Sequence, residues 1–153
     1  MAITVGDLAP DFSLASQNGE TVTLSQFKGQ KPVVLYFYPK DDTPGCTAES
    51  CSFRDSYEAF TDLGAEVIGI SSDSPSSHSA FANKHNLPFT LVSDMGAKVR
   101  KAYGVPATLG LLPGRVTYVI DRDGIVKHVF NSQFNATAHV QEALSVLKSL
   151  ATA

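Results

Sequence analysis

The residues best suited to chemistry are Cys46, Cys51 five positions later, and the run that leads into the first of them, Tyr36-Phe37-Tyr38-Pro39-Lys40-Asp41-Asp42-Thr43-Pro44-Gly45-Cys46. An apolar stretch of strand type gives way there to a helix start. Thr43 before Pro44 reads as an N-cap followed by a proline at the first helical position. Cys46 is then the third helical residue, where backbone N–H groups have no partner within the helix. The positive end of the helix dipole favours a thiolate over a thiol, and the thiolate is the nucleophilic form. Two small core cysteines would instead be expected inside apolar runs, whereas Cys46 lies beside Pro and Gly at a turn, where sites collect.

Spacing restricts what the pair can do. Five residues along an ideal helix give a rise of about 7.5 Å and a rotation of about 140°, hence a Cα separation of about 8.7 Å. A disulfide rarely spans more than about 7 Å. A bond between Cys46 and Cys51 therefore requires the first turns of the helix to unwind, which predicts a folded reduced state and a locally unfolded oxidised one. A permanent structural disulfide is disfavoured, and the spacing is not the Cys-x-x-Cys of a dithiol reductase. Zinc is disfavoured too. His78 and His85, seven apart on a predicted helix, are separated by about 10.5 Å along its axis, and no Cys-x-x-Cys or His-x-x-x-His pair exists. Neither a metal nor a cofactor is called for.

The chemistry that remains is redox. A thiolate that attacks a hydroperoxide becomes a sulfenic acid, and a second thiol nearby converts that to a disulfide before further oxidation. Such a site needs a nucleophilic cysteine, a cation to hold the thiolate and the peroxide, and a shield from water. Thr43 can supply a hydroxyl, as a cap to the Cys46 N–H or as a partner of the sulfur and bound peroxide. Pro39 can supply the shield. Arg115, which opens a predicted core strand directly after Pro113-Gly114, is the candidate cation.

The elements that must position these residues follow from hydrophobic patterning. Phe12-Ser13-Leu14 and Val22-Thr23-Leu24 flank Gln17-Asn18-Gly19-Glu20, a hairpin signal, and Ser25 to Lys28 is a helical turn ended at Gly29. Val33-Val34-Leu35-Tyr36-Phe37 is a continuous apolar run, expected for a central strand covered on both faces. One helix is predicted from Cys46 to about Leu63, with Phe53, Tyr57 and Phe60 on a common face and Arg54 and Glu58 paired on its surface. Val67 to Ile70 is a second buried strand, and Ser74-Pro75 opens a helix reaching His85. Phe89 to Val92 is a short strand, and Asp94 caps a helix in which Met95, Val99 and Tyr103 share a face, stopped by Gly104 and Pro106. Val116 to Ile120 and Ile125 to Phe130 form an antiparallel pair around Asp121-Arg122-Asp123-Gly124. A last helix from Thr137 carries Val140, Leu144, Leu147 and Ala151 along one stripe. The order describes an α/β thioredoxin fold: a central mixed β-sheet flanked by helices, with an N-terminal β-hairpin and a strand-helix insertion. In such sheets the reactive site lies at the carboxyl end of the central strand, where Cys46 falls.

The 153 residues fit one domain, 1–153, that can bury a full core. A net charge of -3 with scattered basic residues argues against nucleic acid or an acidic membrane surface as partner. No stretch approaches the roughly 20 apolar residues needed to span a bilayer, and the first residues have neither a positive start nor an apolar signal core. Two cysteines are too few for a disulfide-stapled secreted scaffold. Asn135-Ala136-Thr137 matches a glycosylation acceptor by chance.

Pro39-x-x-x-Thr43-x-x-Cys46 resembles the active-site signature of the peroxiredoxins, and Cys51 five residues on resembles their Q subfamily, the bacterioferritin comigratory protein type. Gly6-Asp7-Leu8-Ala9-Pro10-Asp11-Phe12, the Tyr36-to-Cys46 segment, Phe53-Arg54-Asp55 and Leu112-Pro113-Gly114-Arg115 extend the likeness over essentially the whole chain. The resemblance implies that Cys46 is peroxidatic and Cys51 resolving, with Arg115, Thr43 and Pro39 completing the site. It implies reduction of hydrogen peroxide or an organic hydroperoxide without metal, haem or flavin, thioredoxin or a similar dithiol as reductant, and a monomer. A bacterial cytoplasm, or a chloroplast after transit-peptide removal, is the expected compartment. The competing readings are a protein disulfide reductase on the same fold and a redox sensor that signals through helix unwinding.

Overall fold

The computed structural model of the chain describes residues 2–105, 114–132, 135 and 137–151. Its centre is β3, Val33–Phe37, every residue of which is buried, as the unbroken apolar run requires. Before it stand a hairpin of β1, Ser13–Ala15, and β2, Thr21–Thr23, and a 3₁₀ turn at Leu24–Phe27. After it come helix α1, Pro44–Asp55, helix α2, Tyr57–Asp62, and strand β4, Glu66–Ser71. Helix α3, Pro75–His85, strand β5, Thr90–Ser93, and helix α4, Lys98–Tyr103, follow. The chain ends with β6, Val116–Ile120, β7, Val126–Asn131, and helix α5, Ala138–Ala151.

The main sheet has the strand order β5-β4-β3-β6-β7. β3 pairs parallel with β4, and β4 with β5, while β3 to β6 and β6 to β7 are antiparallel, so the expected mixed thioredoxin-type sheet is present. Because β-strand side chains alternate between faces, β3 feeds two separate apolar layers. Val34 and Tyr36, with Tyr38 beyond the strand, pack with Phe53, Phe60, Phe81, Val140 and Leu147 on one side. Val33, Leu35 and Phe37 pack with Ile68, Ile70, Tyr103 and Tyr118 on the other. Burial of Phe53 and Phe60, both fully enclosed, contributes roughly 1.5–3 kcal/mol each and holds α1 and α2 on the sheet. Gly69 is required by close approach, since a Cβ there would stand 2.7 Å from Tyr36 Cζ and 2.7 Å from Leu91 Cδ2.

Register sets the site. Phe37 pairs with Val116, so Arg115 sits one step outside that rung, level with the point where the chain leaves β3 for α1. The carboxyl ends of β3, β4 and β5 and the start of β6 therefore surround one spot.

Several expectations are revised. The helix predicted from Cys46 to Leu63 is broken at Ser56, which has φ -104° and ψ 5°, and this turns α2 so that Phe60 can enter the core. The predicted Arg54–Glu58 pair is lost with it. Arg54 instead donates to Asp55 at 3.0 Å and to the carbonyl of His85 at 2.8 Å. Met95 does not share the buried face of Val99 and Tyr103 but is 63% exposed, because α4 begins only at Lys98. Asp94 still caps that helix, its carboxylate accepting from the N–H groups of Val99 at 3.0 Å and Arg100 at 2.9 Å. Pro106, the loop 106–113 and the Leu112-Pro113 half of the last motif lie outside the described residues, as do Ala136 and the side chain of Ala151.

Candidate active site

The segment between β3 and α1 is anchored by buried polar groups. Asp41 accepts from Tyr38 Oη at 2.5 Å through Oδ1, and from Ser77 Oγ at 2.9 Å through Oδ2, which also lies 2.7 Å from His78 Nδ1. Its own N–H donates to Asp73 Oδ2 at 2.8 Å, an oxygen that also accepts from Ser71 Oγ at 2.6 Å. His78 Nε2 lies 2.9 Å from the carbonyl of Val92, which can only accept, so this nitrogen carries a proton. Ligand atoms of Asp41, Asp73 and His78 all fall within 4.8 Å of one another, a cluster that sequence spacing did not reveal. These internal hydrogen bonds tie the loop to α3 and β5. Asp42 next to it adopts φ +61°, a conformation Asp tolerates better than most residues, and pairs with Lys84 at 3.0 Å.

With the loop so held, Thr43 is the N-cap residue, Pro44 the first helical residue and Cys46 the third. Cys46 is completely buried and Cys51 partly exposed, and both are free thiols. They lie on α1 without a break between them. The Thr43 side chain makes no capping hydrogen bond, contrary to one expectation. Its hydroxyl donates to the carbonyl of Lys40 at 2.9 Å instead, which turns the oxygen into an acceptor for any further partner. Pro39, half-buried, directly precedes this loop.

Arg115 is brought to Cys46 across 69 residues of sequence. Its Nη2 donates toward Cys46 Sγ at 3.4 Å, while Nη1 donates to Glu49 Oε1 at 2.6 Å. All three side chains are buried. Glu49 lies three residues beyond Cys46 and so on the same face of α1. Burial pushes its carboxyl up to about 8, against the pull of Arg115. Burial works against the charge of Arg115 as well, but Glu49 and Cys46 outweigh it and hold the guanidinium above its ordinary range. A planar fork that meets an acid with one arm and a sulfur with the other leaves its charge directed at whatever binds beside the sulfur.

A second buried guanidinium frames the same spot. Arg100 donates from Nη2 to the carbonyl of Tyr38 at 2.9 Å and from Nη1 to the carbonyl of Gly114 at 2.8 Å. It thus ties the end of β3 to the residue before Arg115. Burial lowers its pKa, opposed by Asp94 and Cys46.

A buried cysteine at a helix N-terminus thus has an arginine donating to its sulfur. The sequence matches the AhpC/TSA family over residues 5–129. It is 58% identical over 149 residues to a chloroplastic peroxiredoxin Q of Populus jackii, covering 97% of this chain and 70% of that protein. The chain is a member of the AhpC/TSA family, within the peroxiredoxin Q group. Among solved structures, peroxidoxin BcpB of Mycobacterium tuberculosis superposes with a TM-score of 0.89 at 38% identity, covering 97% of this chain and 98% of that one. The bacterioferritin comigratory protein of Xanthomonas campestris, described with trapped complexes for its alkyl peroxide reduction, gives 0.86 at 30% identity, covering 99% of each.

As a peroxiredoxin the chain is a thiol-dependent peroxidase that draws electrons from a thioredoxin-type reductant. Of the five residues singled out in the sequence, the structure brings Cys46 and Arg115 into contact and sets Thr43 and Pro39 on the adjoining loop. Cys51 stays on the far side of a helical turn. Glu49 and Arg100 were missed. A glutamate three residues from Cys46 was the available signal for the first; for Arg100, in a helix with Lys98 and Lys101, nothing separated it from a surface charge.

Proposed function

We propose that this peroxiredoxin works through Cys46 as the attacking thiolate, Cys51 as the resolving thiol, Arg115 and Thr43 as the groups that hold peroxide, and Pro39 as a shield. The observation that carries this reading is the 3.4 Å approach of Arg115 Nη2 to the sulfur of Cys46 at the third position of α1. In the first step Sγ donates an electron pair to the nearer peroxide oxygen and the S–O bond forms as O–O breaks. The leaving oxygen departs as alkoxide or hydroxide and takes a proton. Arg115 faces the sulfur where that negative charge passes, and its charge is worth most in a site closed to water. The Thr43 hydroxyl, already donating to Lys40, has lone pairs with which to receive the O–H of the incoming peroxide.

Resolution requires a different conformation. With about 8.7 Å expected between the two Cα atoms on an intact helix, Cys51 reaches the sulfenic acid only after the first turns of α1 unwind. Attack of the Cys51 thiolate then forms the disulfide and expels water. Thioredoxin returns both thiols by exchange. Organic hydroperoxides are included as substrates, a reading supported by the alkyl peroxide reduction of the Xanthomonas campestris relative.

We read residues 1–153 as one domain, supported by two apolar layers that share a single sheet. A monomer that engages neither nucleic acid nor membrane fits the net charge of -3, and among the described residues no helix is long and apolar enough to cross a bilayer. The chloroplastic relative supports a plastid over a bacterial cytoplasm as the compartment. The test is single-turnover oxidation followed by mass spectrometry. Cys46→Ser should consume no peroxide, and Cys51→Ser should add one oxygen to Cys46 and then stop cycling with thioredoxin. Peroxide consumption by Cys46→Ser at the wild-type rate would overturn the assignment.

A further inference from the structure

Behind Arg115 lies a second pair of groups that the peroxide chemistry above does not use. Glu49 Oε2, the oxygen turned away from Arg115, is buried and has no hydrogen-bond partner among the described residues. It faces His139 Nδ1 at 3.5 Å, from the first turn of α5. His139 is itself fully buried, with the ring of Phe130 packed edge-on at 4.7 Å. Its Nε2 lies 2.8 Å from the carbonyl of Ser132, which only accepts, so Nε2 carries a proton in every state. The charge of the ring therefore depends on Nδ1, which also stands 2.7 Å from Thr117 Oγ1. With a bare Nδ1, the Thr117 hydroxyl donates to it, and Glu49 must carry a proton or face a lone pair with a buried negative charge.

We propose that Glu49 and His139 together hold one proton while Cys46 is a thiolate and give it up when Cys46 is oxidised, so that the charge of the buried site stays balanced through the attack. The proposal rests on the reading of Cys46 as the attacking sulfur. In the reduced site Arg115 carries +1 and the thiolate -1, and the buried Arg100 is offset by the buried Asp94, so an ionised Glu49 beside a neutral His139 would leave a net buried charge, which is costly. One proton on the pair removes it. In the oxidised site the sulfenic acid is neutral, and Arg115 then calls for a carboxylate. Loss of the thiolate charge, linked to Glu49 through the one guanidinium that both contact, changes the proton affinity of the pair by about tenfold or more. The overall step closes: thiolate, peroxide and the proton of the pair give sulfenic acid, alcohol or water, and a carboxylate. Sulfur loses two electrons to the O–O bond, and the leaving oxygen takes one proton while the pair releases one.

Among the described residues the surroundings supply no rival proton holder. Burial pushes Tyr36, on β3, well above its ordinary value, so it stays neutral, and its hydroxyl is 3.0 Å from Ser50 Oγ. Burial lowers the pKa of Arg100, the nearby charges of Asp94 and Cys46 raise it, and a guanidinium keeps its proton throughout. Phe130 of β7 and the carbonyl of Ser132, just past that strand, meet the ring, while His128 pairs outward with Glu142 of α5 at 3.4 Å. Burial pushes Glu49 up to about 8 and His139 down to about 4, the two directions that leave one proton on the pair near neutrality. Glu49 and His139 act through Arg115 and are positioning residues.

Difference infrared spectroscopy of the full chain with Cys51→Ser, before and after one equivalent of hydrogen peroxide near pH 7, tests this. The expected result is a protonated-carboxyl C=O band in the reduced protein that disappears on oxidation. The band should shift when glutamate alone is labelled with ¹³C and be missing in Glu49→Gln. The labelling arm needs no further substitution, so it holds even if Glu49→Gln fails to fold. A reduced protein without such a band, or a band that survives when mass spectrometry shows Cys46 fully oxidised, overturns the proposal. Oxygen found on a residue other than Cys46 overturns the reading of the attacking sulfur, and the proposal falls with it.

Discussion

Arg115 Nη1 donates to Glu49 Oε1 at 2.6 Å, shorter than the 3.4 Å that separates Nη2 of the same guanidinium from Cys46 Sγ. The acid therefore holds one arm of the guanidinium while the other reaches the sulfur. Arg115→Gln should remove the positive charge while leaving a hydrogen-bonding side chain of similar reach. Peroxide attack should slow by about 10²–10³-fold, the usual cost of losing a charged donor at a developing anion. The thiolate absorbance at neutral pH should fall in parallel. Arg115→Lys should recover only part of the rate, because a point charge cannot serve the acid and the sulfur together. An unchanged stopped-flow rate in Arg115→Gln would remove this residue from the site.

The pH dependence of stability should carry a signature of the Glu49–His139 pair. Glu49 is raised from 4.5 to about 8, so its contribution is fully present below 4.5 and is lost as pH rises toward about 8. His139 is lowered from 6.5 to about 4, so its contribution is present above 6.5 and is lost as pH falls toward about 4. Each changes stability by about 1.4 kcal/mol per pH unit within its window. Between 4.5 and 6.5 the two slopes oppose and cancel, and above 6.5 only the fall due to Glu49 remains. Urea titrations of Glu49→Gln and the parent protein should therefore diverge in favour of the variant as pH rises from 4.5 to 8. Parallel curves across that range would contradict a buried, proton-holding Glu49.

What the sequence made legible followed from residues whose local signal and tertiary role agree. Val33 to Phe37 reads as a central strand because both of its faces are covered, and Ser74-Pro75 reads as a helix start because Ser74 does accept from the N–H of Ser77, at 3.1 Å. Thr43-Pro44 likewise marks the start of α1. Local signal failed where tertiary packing decides. No residue between Asp55 and Tyr57 is a helix breaker, yet the chain bends at Ser56 to bury Phe60. Glu49, Arg100 and His139 are ionisable residues within helices, a pattern that ordinarily marks a solvated face. Their burial is created by contacts with Arg115, Tyr38 and Ser132, from segments distant in sequence. The candidate cysteines and the cation were thus visible, whereas the groups that hold the cation in place were not.

Arg100 gives a prediction that separates support from chemistry. Arg100→Met removes both donors and leaves the carbonyls of Tyr38 and Gly114 buried without them, at a cost of about 2–4 kcal/mol. The lost bond to Gly114 also loosens the residue that precedes Arg115. Peroxide attack should fall about ten- to a hundredfold under conditions where the variant is fully folded, the range expected for slight misplacement of a positioned group. Urea unfolding and stopped-flow oxidation measure the two effects separately. A destabilised variant with an undiminished rate would assign Arg100 to the fold alone.

Gly45 lies between Pro44 and Cys46, and a Cβ at that position would stand 3.0 Å from Arg115 Nη2. Gly to Ala in a helix normally gains up to about 1 kcal/mol from propensity. Here the added methyl group must move a guanidinium whose other arm is held by Glu49. A surface lysine could swing aside freely, but this fork can retreat only by lengthening its contact with the sulfur or with the acid. Gly45→Ala should therefore retain or slightly raise stability while slowing peroxide attack by about tenfold, since a few tenths of an ångström at this donor weakens the interaction made with the transition state. The thermal midpoint and the single-turnover rate should move in opposite directions. A variant that gains stability and attacks peroxide as fast as the parent would show that Arg115 has more room beside Cys46 than the 3.0 Å clearance allows.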